Sequence, residues 1–118
     1  MLQANTNRRK VRLAINYGPT LHKRVTDQTV NMSPGGVFIE TADILPAGTL
    51  LFVEFKLPGK EKPVACKAKV AWTNEPGNLK SHSQPAGIGL QFFSLSLENM
   101  DDLREFLAKG ECSPPDAA

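Results

Sequence analysis

Asn31-Met32-Ser33-Pro34-Gly35-Gly36 places an amide, a hydroxyl and two glycines directly ahead of a strand-forming run, Val37-Phe38-Ile39-Glu40. The amide of Asn31 both donates and accepts, Ser33 carries a rotatable hydroxyl, and glycine permits positive φ or close approach to the backbone. Such a set builds a polar pocket. Upstream, Arg8-Arg9-Lys10-Val11-Arg12 gathers guanidinium groups, which form paired, charge-assisted hydrogen bonds to phosphate oxygens. The chemistry these two segments could perform together is recognition of a phosphorylated ligand. The same cluster, read alone, is also a solvated basic arm or an anchor for an acidic partner.

Other reactive side chains do not assemble into a catalytic pattern. His22 and His82 stand apart, with no carboxylate or thiol at ligand spacing. Ser33 has no neighbouring base to activate it, and no carboxylate pair is set apart by its surroundings. The expectation is a protein that is not an enzyme and holds no metal. Cys66 lies in a strand-like run and Cys112 near the C-terminus, so Cys66 reads as a buried reduced thiol and Cys112 as incidental.

At 118 residues the chain suffices for one hydrophobic core, and 41% hydrophobic with 22% charged residues is the balance of a soluble globular domain. A net charge of +2 is too small for a general nucleic-acid binder, so no nucleic-acid polymer is expected as partner. No apolar run is long enough to cross a bilayer and the first seven residues contain no secretory h-region, which points to the cytoplasm.

The elements that would position these residues follow from periodicity. Val11, Leu13, Ile15 and Tyr17 alternate on one face of a strand that Gly18-Pro19 ends. Further strands are expected over residues 23–32, 37–41, 49–57, 64–72 and 87–93, with residues 49–57 and 64–72 forming a hairpin and residues 74–85 a long flexible loop. Trp72 and Phe92, at strand ends, suit core or rim packing. The period then changes: Leu97, Met100, Leu103 and Leu107 make a helical stripe, with Ser96 as N-cap and Gly110 as terminator. The fold class is therefore all-β with one C-terminal helix, a six-stranded antiparallel β-barrel capped by an α-helix. Residues 1–10 are expected to be a flexible basic arm, residues 11–109 the barrel and helix, and residues 110–118 a disordered tail.

The order of these motifs resembles the PilZ domain family, whose signature is Arg-x-x-x-Arg followed by (Asp/Asn)-x-Ser-x-x-Gly. The literal matches are Arg8-x-x-x-Arg12 and Asn31-x-Ser33-x-x-Gly36, and the likeness continues through Leu45-Pro46-Ala47-Gly48, Val70-Ala71-Trp72 and Ala86-Gly87-Ile88-Gly89-Leu90-Gln91-Phe92. The resemblance implies the same barrel and a bacterial receptor for cyclic di-GMP, a ring of two guanosines closed by two phosphodiesters. By that likeness the ligand-binding residues are Arg8, Arg9, Arg12, Asn31, Ser33 and Gly36. Arginines would hold phosphate and guanine, Asn31 and Ser33 would read a guanine edge, and Gly36 would leave room for the ligand.

In a second alignment Tyr17 matches the aromatic residue that often ends the family's first strand. Arg8 then takes the second arginine's place and Ala4 the first. The resemblance also implies an output: ligand orders the N-terminal arm, and the change reaches an unidentified protein effector in motility, biofilm formation or a related process. The alternative is a divergent member that docks protein through a strand edge or the C-terminal helix and binds no cyclic di-GMP.

Overall fold

In a computed structural model, which describes residues 8–20, 22, 24–80 and 82–110, the alternating segments become seven strands and one helix. They are β1 (Arg9–Lys10), β2 (Ala14–Gly18), β3 (Val25–Ser33), β4 (Gly36–Glu40), β5 (Leu50–Phe55), β6 (Val64–Asn74), β7 (Gly87–Phe93) and α1 (Leu97–Gly110). All pairings are antiparallel in the order β1-β3-β2-β5-β6-β7-β4, and β4 returns to pair with β3. β1 lies opposite Met32 and Asn31, while β2 lies opposite Gln28 back to Val25 on the same edge of β3. The two short strands thus share one place in the ring, which closes as a six-stranded barrel.

The strand expected over residues 11–17 is split, and the split has a cause in β3. Relative to β4, β3 carries an extra residue at Val30: Thr29 faces Ile39, and Asn31 faces the next residue back, Phe38. Across its other edge, residues 29 and 30 confront three residues, 11–13. This bulge changes the phase of the strand, so Thr29 and Met32 both point into the barrel and Asn31 and Ser33 lie on the outer side. Backbone groups thrown out of step are reconnected locally. Val11 N–H donates to the Val30 carbonyl at 3.1 Å, and Thr29 N–H to the Leu13 carbonyl at 2.9 Å. The fully buried Thr29 hydroxyl accepts the Leu13 N–H at 2.8 Å and donates to the Val11 carbonyl.

Inside the ring the alternation seen in sequence becomes the core. Ile15, Tyr17, Val37, Ile39, Leu51, Val53, Phe55, Val64, Val70, Ile88 and Leu90 are all buried. α1 covers one open end with Leu103 and Leu107, and Phe106 packs partly against the same core. Lys60, in the β5–β6 connection, pairs with Asp102 at 3.3 Å and Glu105 at 3.7 Å and so ties the helix to the rim. Ser96 caps the helix, its Oγ accepting the Asn99 N–H at 3.0 Å. Leu97 departs from the expected stripe: it is 79% exposed, because the helix meets the core only from its second turn onward.

Cys66 is half-buried against the core, and burial pushes its thiol up to about 11, so it is protonated at neutral pH. Cys112, residues 1–7 of the expected arm and residues 111–118 of the expected tail lie outside the described residues; residues 9 and 10 form β1, and Gly110 is the last residue of α1.

Two outcomes follow. Thr29→Val keeps the side-chain shape but strands the Leu13 N–H and Val11 carbonyl, and should lower unfolding free energy by about 2 kcal/mol or more in urea denaturation, with Thr29→Ser losing less. In a Cys112→Ser background, iodoacetamide should alkylate native Cys66 far more slowly than the unfolded chain at neutral pH, the gap narrowing as pH rises toward about 11.

Candidate functional site

The site grows from the β3–β4 hairpin. Ser33 pairs with Gly36, leaving Pro34 and Gly35 as the turn, and the Ser33 Oγ accepts the Gly35 N–H at 3.2 Å. The Gly35 carbonyl takes the Phe92 N–H at 2.9 Å, which fixes the turn against β7. Gly36 is glycine for a packing reason: a Cβ there would collide with the Leu90 carbonyl oxygen on the adjacent strand. The open space beside the motif lies at Gly35, where the nearest atom to an added Cβ, its chain neighbours aside, would be the Ser33 Oγ at 3.9 Å.

Arg8 closes over this hairpin. Its Nε donates to the Asn31 Oδ1 at 2.7 Å and its Nη1 to the Ser33 Oγ at 3.3 Å. The guanidinium is half-buried, and burial pushes its pKa down from the ordinary value. Among the described residues no carboxylate is paired with it; both side-chain partners are neutral. A cation partly withdrawn from water and held only by dipoles retains the capacity to take a charged acceptor. The Asn31 amide also donates from Nδ2 to the Gln84 Oε1 at 3.4 Å, joining the niche to the loop before β7.

The other two arginines are directed elsewhere. Arg9 sits opposite the fully buried Met32 and lines a hollow of about 260 Å³ with Pro34, Arg104 and Leu107, while its Nη1 donates to the Arg8 carbonyl at 3.2 Å. Arg12 lies toward the far end of β3 and β4, its Nη1 donating to the Glu40 Oε1 at 3.1 Å in an exposed ion pair. It borders a separate groove of about 600 Å³ with Asp27, Gln28 and Thr41. In extended chain four residues span about 13 Å, so the literal Arg8-x-x-x-Arg12 spacing does not converge on one small group. Ala4 of the second alignment lies outside the described residues.

Part of the site's surroundings carried no signal in the sequence. Strand register aligns Asn31, Phe38, Gly89 and Trp72 in one outward row across β3, β4, β7 and β6. Gly89 has no side chain, so the Trp72 indole lies over it and stacks on Phe38 with ring centroids 5.0 Å apart and planes at 17°. Trp72 is thus on the outer wall, 37% exposed, rather than in the core. The expected flexible loop is anchored by fully buried Asn74, whose Nδ2 donates to the carbonyls of Gln84 at 3.3 Å and Pro85 at 3.0 Å while its Oδ1 accepts the Lys80 N–H at 2.8 Å. That clamp brings Gln84 to Asn31.

Comparison with known proteins adds a family and a fold. The sequence profile described as PilZ domain matches residues 6–109. No curated protein matches the chain. Among solved structures, the Bacillus subtilis inhibitor of motility MotI (DgrA) is similar at a TM-score of 0.71 and 19% identity, over 89% of this chain and 49% of that one. The present chain therefore spans about half the length of MotI. The PilZ domain of CeSA from a cellulose-synthesizing bacterium gives 0.59 at 13% identity, over 89% of this chain and 98% of that one. The PilZ domain of YcgR from Escherichia coli, a structure with c-di-GMP, gives 0.57 at 14% identity, over 86% and 88% of the two chains. At such identities the likeness is one of fold.

Asn74→Ala should release residues 75–86 while leaving the barrel intact. Hydrogen exchange is expected to rise at Lys80 and around Gln84, with a stability loss of about 1–3 kcal/mol for the unsatisfied backbone groups.

Proposed function

The chain belongs to the PilZ domain family, and from that premise we propose that it is a receptor for cyclic di-GMP which passes the signal to a protein partner. The observation that carries this reading is the half-buried Arg8 cation resting on two neutral acceptors, Asn31 and Ser33, at the hairpin. A phosphodiester oxygen is a better partner for a guanidinium than either. On ligand entry Arg8 exchanges those contacts for phosphate, which frees the Asn31 amide and the Ser33 hydroxyl for a guanine edge. Gly36 serves the site indirectly, by letting β4 approach β7 so that the strand pairing with Ser33 is held in place.

Because Arg8 leads directly into β1, the exchange moves the start of the chain. That displacement is the signal, and its output runs through another protein, in bacterial motility, biofilm formation or a process like them. Arg9 and Arg12 join the ligand only if the leading segment rearranges, since one now faces α1 and the other is held by Glu40. No helix among the described residues is long and apolar enough to cross a membrane, and the reading takes the cytoplasm as the place of action. The same placement of Arg9 and Arg12 favours a second reading, a docking module of the same fold that binds no cyclic di-GMP.

Calorimetric titration with cyclic di-GMP separates the two. The unmodified protein is expected to bind, Arg8→Ala to bind about 10- to 100-fold more weakly from loss of charge-assisted hydrogen bonds, and Arg12→Ala to differ little. Absence of heat at millimolar ligand would leave the docking module as the function.

A further inference from the structure

The outward side of β5, β6 and β7 carries a second surface. Register sets Phe52, Lys67 and Phe93 abreast in one row and Leu50, Lys69 and Gln91 abreast in the next. Leu50 is 61% and Phe93 39% exposed, and Phe52 is half-buried with the Lys67 ammonium 5.8 Å from its ring centroid. Single exposed apolar side chains are ordinary; here they are grouped around two cations. Among the described residues neither lysine is ion-paired, and Glu54, the acid in the adjoining row, is occupied by Arg24 at 2.5 Å. Two strand spacings by two residue rows make a footprint of about 10 by 7 Å before side chains are added, matching about two turns of a helix.

We propose that this face docks a partner-protein segment presenting carboxylates beside apolar side chains, in its simplest form an acidic amphipathic helix. Apolar groups would cover Leu50, Phe52 and Phe93 while carboxylates pair with Lys67 and Lys69. A second copy of this chain suits the face poorly, since a two-fold contact would lay one patch bearing two lysines, with its adjoining Glu54 already paired, against an identical patch. The inference goes beyond the nucleotide reading and does not depend on it. Ser33 shares the row Gly36, Gln91 and Lys69, three strand spacings or about 14 Å from Lys69.

The test uses a short synthetic helical peptide with a Leu stripe flanked by Glu, and its counterpart with Lys in place of Glu, titrated into isotopically labelled protein. The acidic peptide should shift the amides of Leu50, Phe52, Lys67, Lys69 and Phe93, and bind at least ~10-fold more weakly to Lys67→Glu/Lys69→Glu and to Phe93→Ser. Arg8→Ala should bind it unchanged, which keeps this result separate from the cyclic di-GMP titration. Urea midpoints equal to the unmodified protein's would show that the variants are folded. Equal binding of the Lys peptide, no shift at millimolar peptide, or shifts confined to other faces would overturn the proposal. So would sedimentation showing self-association abolished by Phe93→Ser, which would assign the face to a second copy.

Discussion

A buried backbone group that loses its ladder partner must find another, and at the phase change in β3 that partner is the Thr29 hydroxyl. The extra residue at Val30 is what turns Asn31 and Ser33 to the outside of the barrel; in unbroken alternation Asn31 would share the inward face of Thr29. Everything at the niche descends from that slip. Lys10 pairs with Asn31, so Arg8 and Lys10 take the outer side of β1 and Arg9 takes the side of Met32 and α1. The Thr29 hydroxyl makes the irregularity affordable by reconnecting the Leu13 N–H and the Val11 carbonyl.

On that frame the electrostatics are simple. Arg8 is partly desolvated with dipoles for company, whereas Arg12 and Arg24 each have a carboxylate, Glu40 and Glu54. The contrast distinguishes a cation whose charge is already answered from one whose charge is not. Exposed pairs such as Arg12 with Glu40 contribute little to stability, about 0–1 kcal/mol. Their effect here is to hold a guanidinium in one place. The Asn74 clamp does comparable work without charge, since three hydrogen bonds from one buried amide define where the loop runs.

Much of the barrel was legible because period-2 alternation reports one buried face. Leu51, Val53 and Phe55 against Val64, Ala68 and Val70 gave the β5–β6 hairpin and its inward side, and Ser96 with Leu103 and Leu107 gave the capped helix. Periodicity says nothing of how far a helix overhangs its support, so Leu97 was misplaced. It also cannot reveal a phase change: Val11, Leu13, Ile15 and Tyr17 alternate without interruption while the irregularity sits on the partner strand at Val30. Asn31, Ser33 and Arg8 were recognisable by type and by family likeness. Gln84 and Asn74 were not, because their importance arises from contacts across the sheet rather than along the chain. Trp72 was ambiguous for a related reason, since only register reveals that Gly89 vacates the space its ring covers.

Ring closure has a kinetic corollary. The pairs that join β4 to β7 link Gly36 with Gln91 and Glu40 with Gly87, contacts between distant parts of the sequence that are slow to form because a long intervening segment must first be gathered in. During synthesis the hairpin bearing Asn31 and Ser33 emerges from the ribosome well before the strand that completes it. Until β7 arrives, β4 presents an open edge to any passing chain. The surroundings of Asn31 and Ser33 are therefore among the last regions of a nascent molecule to mature, and the interval before maturation is when misassociation is most to be expected.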